Sequence, residues 1–177
     1  MKSIIAAILF SSLVACVPRN PTKFAVFIDP NLGSETHQII HESLLDWKGK
    51  TNKLTFTEVI RIPSKEEMND YDTFFITGKP FDQIKSLCGR MIAQACNKRW
   101  PNKSNGSILL PFYSELARHS FVAALHYPGI VRHEIGHAFG LPHNDVKGTV
   151  MFEDVAYMSN QVTVIDVYNY LKSRNRE

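Results

Sequence analysis

The most informative segment of the sequence is residues 133–143, which read HEIGHAFGLPH. His133 and His137 are one helical turn apart, so both imidazoles project from one helix face, close enough to bind a single metal ion. Gly140 can adopt a positive φ and end that helix, and the turn that follows lets His143 swing back as a third ligand. Three neutral nitrogen ligands leave one coordination position open, which is typical of a catalytic zinc site.

The carboxylate needed for hydrolysis is Glu134, beside the first histidine. Zinc lowers the pKa of water from 15.7 to about 7 and polarises a carbonyl, so a nearby carboxylate can act as general base. Glu134 can then pass the proton to a leaving amine. Five fixed positions at roughly 5% each arise by chance in such a chain with a probability on the order of 10⁻⁴. The motif therefore predicts one catalytic Zn²⁺ held by His133, His137 and His143.

This pattern resembles the metzincin zinc peptidases, whose signature His-Glu-x-x-His-x-x-Gly-x-x-His is followed by a Met-containing turn. Met151 lies eight residues after His143, which is the spacing of the matrixin branch. Residues 89–95 resemble the matrixin edge strand that pairs with the substrate backbone. The resemblance implies that an extended peptide binds along this edge by β-augmentation. The residues concerned are Met91, Ile92, Ala93, Gln94 and Ala95.

The resemblance also implies a fold and an activity. The fold class is α+β (α/β sandwich-like): a twisted, mostly parallel five-stranded sheet with an antiparallel edge strand, an active-site helix, a Met-turn and a C-terminal helix. The activity is that of a zinc-dependent endopeptidase acting on protein or peptide. Asn144 and Glu153 depart from the well-known subfamilies. The residue after the third histidine is Ser, Glu, Asp or Pro in those subfamilies, and astacins and serralysins have a tyrosine zinc ligand two residues after the Met-turn methionine. Tyr157 is the remaining candidate for the cleft wall or for stabilising the oxyanion.

Hydrophobic periodicity predicts the elements around the motif. Strands are expected at residues 24–28, 54–60, 71–77, 91–95 and 107–110. Helices are expected after a Ser34 cap with Ile40, Leu44 and Trp47 on one face, at 114–126 and 130–139 with a break at 127–129, and at about 160–173 after a Ser159 cap with Val164, Tyr168 and Leu171 on one face.

Composition indicates an ordinary globular domain. Of 177 residues, 44% are hydrophobic and 21% charged, and 20 Lys+Arg against 17 Asp+Glu give a net charge of +3. That profile excludes disordered, collagenous and coiled-coil chains. Lys98, Arg99 and Lys103 form too short a basic stretch for a nucleic-acid footprint, so no nucleic acid is expected. Together with Trp100 they are expected in a solvated loop that could border the cleft. A monomer is expected.

The N-terminus has the layout of an export signal, with Lys2 ahead of an apolar run too short to span a bilayer. The sequence Leu13-Val14-Ala15-Cys16 resembles the lipobox of bacterial lipoproteins, which implies cleavage before Cys16 and lipidation of its thiol. The predicted organisation is a signal peptide at 1–15, a lipid-anchored tether at 16–22 and one catalytic domain at 23–177. The expected location is the bacterial cell envelope, at the outer membrane or cell surface and bound to membrane only through the lipid. A periplasmic or secreted protein is the alternative.

Once Cys16 is assigned to lipid, Cys88 and Cys96 remain as an even pair, typical of an oxidising compartment. A disulfide between them would stabilise the fold by roughly 2–3 kcal/mol in the chain-entropy model. The alternative is two buried thiols. A strand over residues 92–96 could place the two out of bonding range.

Other interpretations of the histidines and of the motif are open. His37 and His41 are also one turn apart but lack a third ligand at a set distance, which favours a solvated helix face. His119 and His126 are expected to be surface or hydrogen-bonded histidines. Two further functions would use the same motif: a non-catalytic zinc-binding surface lipoprotein, for adhesion or partner binding, and a zinc amidase acting on cell-wall peptides. An intact Glu134 argues against the first, because a binding module needs no base.

Overall fold

The computed structural model describes residues 22–70, 72–88, 96–97 and 106–174. The strands in this part of the chain are β1 (Thr22–Ile28), β2 (Leu54–Ile60), β3 (Thr73–Lys79), β4 (Cys96–Asn97) and β5 (Ser107–Pro111). The helices are α1 (Ser34–Thr51), α2 (Lys65–Met68), α3 (Phe81–Cys88), α4 (Tyr113–His119), α5 (Phe121–Leu125), α6 (Tyr127–Ala138) and α7 (Val164–Arg174), with a 3₁₀ turn at Val155–Tyr157. None of the described helices is both long and apolar enough to cross a bilayer.

The strands form one sheet in the order β2-β1-β3-β5-β4. Its first four strands are parallel, and β4 pairs antiparallel with β5 through Cys96 opposite Leu109 and Asn97 opposite Ile108. This confirms the predicted sheet, in which only the edge strand runs against the rest. Strand β1 lies between two parallel neighbours, where a continuous apolar run is expected, and Val26, Phe27 and Ile28 are buried.

The aromatic core joins the sheet to α6. Phe139 is the C-cap of α6. Its ring centroid lies 5.1 Å from Phe24 of β1, 5.6 Å from Phe56 of β2 and 5.5 Å from Trp47 of α1. Burial of rings this large dominates the energetics of a small core. The C-terminal end of the active-site helix is therefore fixed against both the sheet and α1.

Several predicted helix boundaries were wrong for local physical reasons. Ser34 is the first residue of α1 and not its cap; Gly33 occupies the cap position without a side-chain hydrogen bond. The predicted helix 114–126 is divided into α4 and α5 at Ser120, whose extended backbone ends one helix while its hydroxyl accepts from Ala123 N in the next. The break predicted at 127–129 is instead the first turn of α6, where proline is tolerated because its missing N–H would be unpaired anyway.

The last helix differs more. It begins at Val164, and Ser159 accepts instead from Gln161 N in the preceding loop. Val164 and Tyr168, which were predicted to share one face with Leu171, are 81% and 62% exposed, so that face is not the one that packs into the core. The buried positions of α7 are Asp166 and Tyr170. Apolar periodicity does not predict a fully buried carboxylate.

Candidate active site

Helix α6 is fixed at its start by Tyr127, whose hydroxyl donates a 2.9 Å hydrogen bond to the carbonyl of Pro111 at the end of β5. Burial raises the pKa of this phenol well above its usual value, so it remains a neutral donor. Two residues on, Gly129 has no room for a side chain: a Cβ would lie 2.6 Å from the Ser159 carbonyl and 2.7 Å from Asn160 Oδ1. The helix start is thus packed directly against the loop that precedes α7.

Contacts from α1 hold the middle of α6. The Trp47 indole donates to the carbonyl of Arg132 at 3.0 Å, and the Arg132 guanidinium donates to the Asp46 carboxylate at 2.9 Å. Both charged side chains are largely buried. Since Arg132 directly precedes His133, these bonds fix the rotation of the helix at the point where the histidines begin.

The end of α6 turns the chain back toward the site. Gly140 has a φ of 91°, its N–H donates to the His137 carbonyl at 2.9 Å, and Leu141 N–H donates to the Gly136 carbonyl at 3.1 Å. This pair of bonds, with a buried apolar residue after the glycine, is a Schellman motif, which needs a residue that tolerates a left-handed backbone. The following residues carry His143 back along the helix.

The structure brings the three predicted histidines together. The Nε2 atom of His143 lies 3.1 Å from Nε2 of His133 and 3.1 Å from Nε2 of His137. A tetrahedral zinc ion with Zn–N bonds of about 2.0–2.1 Å separates its nitrogen ligands by about 3.3 Å, so the spacing fits the ion. No other group of three His, Cys, Asp or Glu in the described residues is as close as this one.

The outward nitrogens of two histidines explain why their Nε2 atoms point inward. His133 Nδ1 lies 2.7 Å from the Val150 carbonyl, and His137 Nδ1 lies 2.7 Å from the Leu141 carbonyl. A carbonyl can only accept, so each Nδ1 carries the proton and each Nε2 presents a lone pair. That is the tautomer which a metal ion requires.

Glu134 is buried, with 4% of its surface exposed, directly beside His133 on α6. Burial of a carboxylate is costly, and buried carboxylates are concentrated at functional sites.

Met151 lies against α6 and is 1% exposed. A Cβ on Gly136 would collide with the Met151 Sδ and would lie 3.1 Å from a carbon of the Trp47 ring. Gly136, between the two helical histidines, therefore permits the close approach of the predicted Met-turn to the helix.

A single buried carboxylate holds the Met-turn. Asp166, at the start of α7, accepts hydrogen bonds from Val150 N–H at 3.1 Å and Met151 N–H at 3.2 Å. It also accepts from Thr163 N–H at 2.9 Å and from the Thr163 hydroxyl at 2.7 Å. The Val150 carbonyl, which orients His133, belongs to the same peptide unit as the Met151 N–H that Asp166 binds. Sequence reasoning missed this residue, although the spacing Thr163-x-x-Asp166 is that of a reciprocal helix cap.

Tyr157 lies beyond the Met-turn and is 52% exposed. Lys147 Nζ is 4.1 Å from its ring centroid, and the Phe152 ring meets it edge-on at 6.4 Å.

Residues 91–95, the candidate substrate strand, and the basic loop at 98–103 lie outside the described residues. So do Cys16 and the side chains of Cys88 and Cys96, so the predicted disulfide and lipidation stay predictions.

The rival histidines have other partners. His37 Nε2 lies 2.9 Å from the Asp29 carbonyl, and His41 Nδ1 lies 3.0 Å from Glu58 Oε1. His119 is stacked on Phe81 with a centroid distance of 4.5 Å. None of these belongs to the group around residues 133–143.

The chain is similar to known proteins in sequence and in fold. No curated protein sequence matches the chain. A solved archaemetzincin from Methanopyrus kandleri superposes with a TM-score of 0.51 at 14% identity, covering 90% of this chain and 99% of that one. A zinc-dependent peptidase from Methanocorpusculum labreanum gives a TM-score of 0.47 at 12% identity, covering 83% and 99%. The Matrixin family model matches residues 23–169. Since that match spans most of the chain and includes the three converging histidines, the chain belongs to the matrixin family and is a zinc-dependent metallopeptidase.

Proposed function

We propose that the protein is an endopeptidase in which His133, His137 and His143 bind one Zn²⁺ and Glu134 is the general base. The observation that carries the proposal is the convergence of three Nε2 atoms at 3.1 Å contacts. The Nδ1 atoms of His133 and His137 are hydrogen-bonded to backbone carbonyls, which fixes the tautomer with the proton on Nδ1 and leaves Nε2 for the metal.

When bound, zinc lowers the pKa of water and polarises the carbonyl that the water attacks. Glu134, buried beside His133, would take the proton of the attacking water and deliver it to the leaving amine. The rigid contacts of α6 to α1 and to the Met-turn would keep these groups in place through both proton transfers, so that no reorganisation is needed.

The substrate would be an extended peptide lying along the β4 edge of the sheet. Strand β4 is an outer strand in the sheet order, paired on one side with β5. The candidate residues Met91 to Ala95 directly precede it in sequence, so the unpaired edge would continue through them. Main-chain hydrogen bonds to such an edge bind peptides of many sequences, and side-chain pockets select the bond that is cut. Tyr157 is proposed as part of the cleft wall.

Cleavage of an unbiased peptide library tests the function. Glu134→Gln should keep zinc and lose about 10²-fold or more of the cleavage rate, because the general base is removed without changing the ligands. The exposed Glu66→Gln is the matched control and should behave like the unmodified protein. Cleavage that survives either a chelator or the Glu134 substitution would refute the mechanism. Peptidoglycan is assayed in parallel: zinc binding without cleavage of either substrate would favour a binding role, and cleavage of peptidoglycan alone would favour an amidase.

We further propose that the mature protein is exported and anchored to the bacterial envelope through Cys16. The support is the lipobox-like sequence ahead of this cysteine. Mass spectrometry of the mature N-terminus should find a diacylated Cys16 at the first position. A mature chain beginning elsewhere, or an unmodified thiol, would remove the anchor.

A further inference from the structure

The third histidine differs from the other two in what its outward nitrogen faces. His133 and His137 each direct Nδ1 at a backbone carbonyl 2.7 Å away. His143 Nδ1 faces a carboxylate instead, with Glu153 Oε2 at 3.8 Å. The side chain of His143 is 32% exposed and that of Glu153 is 66% exposed, so this pair lies at the open side of the site.

The backbone keeps these two residues side by side. Asn144 N–H donates to the Met151 carbonyl at 2.9 Å, and Asn144 and Phe152 form an isolated parallel bridge. His143 directly precedes one partner of the bridge and Glu153 directly follows the other. The paired segments therefore hold the backbones of His143 and Glu153 close together.

We propose that Glu153 is a positioning residue for His143. Its carboxylate lies 3.8 Å from Nδ1, which is longer than a hydrogen bond, and a small movement of this exposed side chain would let it accept the Nδ1–H and so strengthen zinc binding. A carboxylate in this position favours the tautomer with the proton on Nδ1, which leaves the Nε2 lone pair for the metal, and it makes the imidazole a stronger donor to the ion. It also places a negative charge beside a site whose three ligands are neutral. The inference rests on the proposed zinc site and adds a residue to it.

His143 has more need of such an acceptor than its two neighbours. His133 and His137 are carried by a helix whose rotation is fixed by α1 and the Met-turn. His143 lies in an irregular loop, and its side chain is 32% exposed whereas His133 is buried. An outer acceptor fixes both the ring orientation and its tautomer.

Zinc affinity of the full chain, measured by competition with a chelator of known affinity, tests the proposal. Glu153→Ala should weaken zinc binding by about tenfold or more, which is the usual effect of removing an outer partner of a metal-bound histidine. Glu153→Gln should lose less, because its amide oxygen can still accept. Asp145→Asn, which removes an exposed carboxylate from the same loop, is the matched control and should leave the affinity unchanged.

A second measurement separates positioning from a general effect of charge. Long-range ¹H–¹⁵N NMR of the metal-free protein, at a pH where the imidazole is neutral, reports which His143 nitrogen carries the proton. The Nδ1–H form should dominate in the unmodified protein and in Asp145→Asn, and the Nε2–H form should increase in Glu153→Ala. Equal zinc affinities for Glu153→Ala and the unmodified protein, or equal losses for Glu153→Ala and Asp145→Asn, would overturn the inference while zinc binding itself persists. Failure of the unmodified protein to bind zinc would overturn the proposed function as well.

Discussion

Helix α6 and the segment that follows it, residues 139–158, place their histidines by different physical means. In α6 the backbone periodicity alone puts His133 and His137 on one face, and apolar packing of Trp47, Phe139 and Met151 holds the helix. A helix held in this way keeps its position when a single contact is lost, because many contacts determine that position at once.

The segment 139–158 has little regular structure apart from one 3₁₀ turn. Its conformation depends on hydrogen bonds, above all those of Asp166 with the N–H groups of Val150 and Met151. A segment held by one polar side chain is more sensitive to substitution, because removing one acceptor leaves buried N–H donors without a hydrogen bond. Matched substitutions at Asp166, which holds the segment, and at Asp46, which holds the helix, test this difference.

We expect Asp166→Asn to have the largest effect. An amide has one acceptor oxygen in place of two, and its NH₂ group would face a buried N–H of the Met-turn or of Thr163. The cost should be about 2–3 kcal/mol of unfolding free energy, measured by denaturant titration. Because Val150 is displaced and its carbonyl orients His133, zinc affinity should fall by about tenfold as well. Loss of stability with unchanged zinc affinity would show that the Met-turn does not transmit its position to His133.

Asp46→Asn is the matched change on the helix side. Asp46 Oδ2 accepts from Arg132 Nε and from Val162 N–H, each at 2.9 Å, and an amide oxygen can still accept both bonds. The loss of charge should cost about 1 kcal/mol of unfolding free energy. Zinc affinity should not change, because Trp47 and the apolar contacts still hold α6. A fall in zinc affinity as large as that of Asp166→Asn would erase the proposed distinction between the two regions.

The same contrast explains what could be predicted from sequence. The three histidines and the end of α6 at Gly140 follow from one short motif, because helical spacing and glycine stereochemistry are local properties. The parallel strands are also visible as apolar runs, since strands covered on both faces need them.

Long-range polar contacts leave no such pattern. Helical periodicity places Asp166 in a helix but does not identify it as the residue that holds the Met-turn, because nothing local indicates which groups a buried carboxylate will contact. In the motif Gly136 is a variable position, although its missing side chain is what allows Met151 to approach the helix. Helix α2 could have been found from Ser64-x-x-Glu67, where both bonds of a capping box are present.

The smallest effect is expected at Glu67, a partly exposed carboxylate that does not belong to the zinc site, and it sets the baseline for the comparison. Glu67 accepts hydrogen bonds from the Arg61 guanidinium and from the Ser64 N–H. These bonds lower the pKa of Glu67 from 4.5 to about 2, and the bond from Arg61 has the larger effect. A lowered pKa in the folded state means that the contribution to stability is fully present above pH 4.5 and is lost as the pH falls toward 2. Glu67→Gln keeps the capping box, so it removes mainly the charge. Unfolding midpoints of the variant and the unmodified protein should therefore differ slightly at pH 7, converge as the pH approaches 2, and leave zinc affinity at pH 7 untouched. A difference that persists at low pH would show that Glu67 stabilises α2 through its packing and not through its charge.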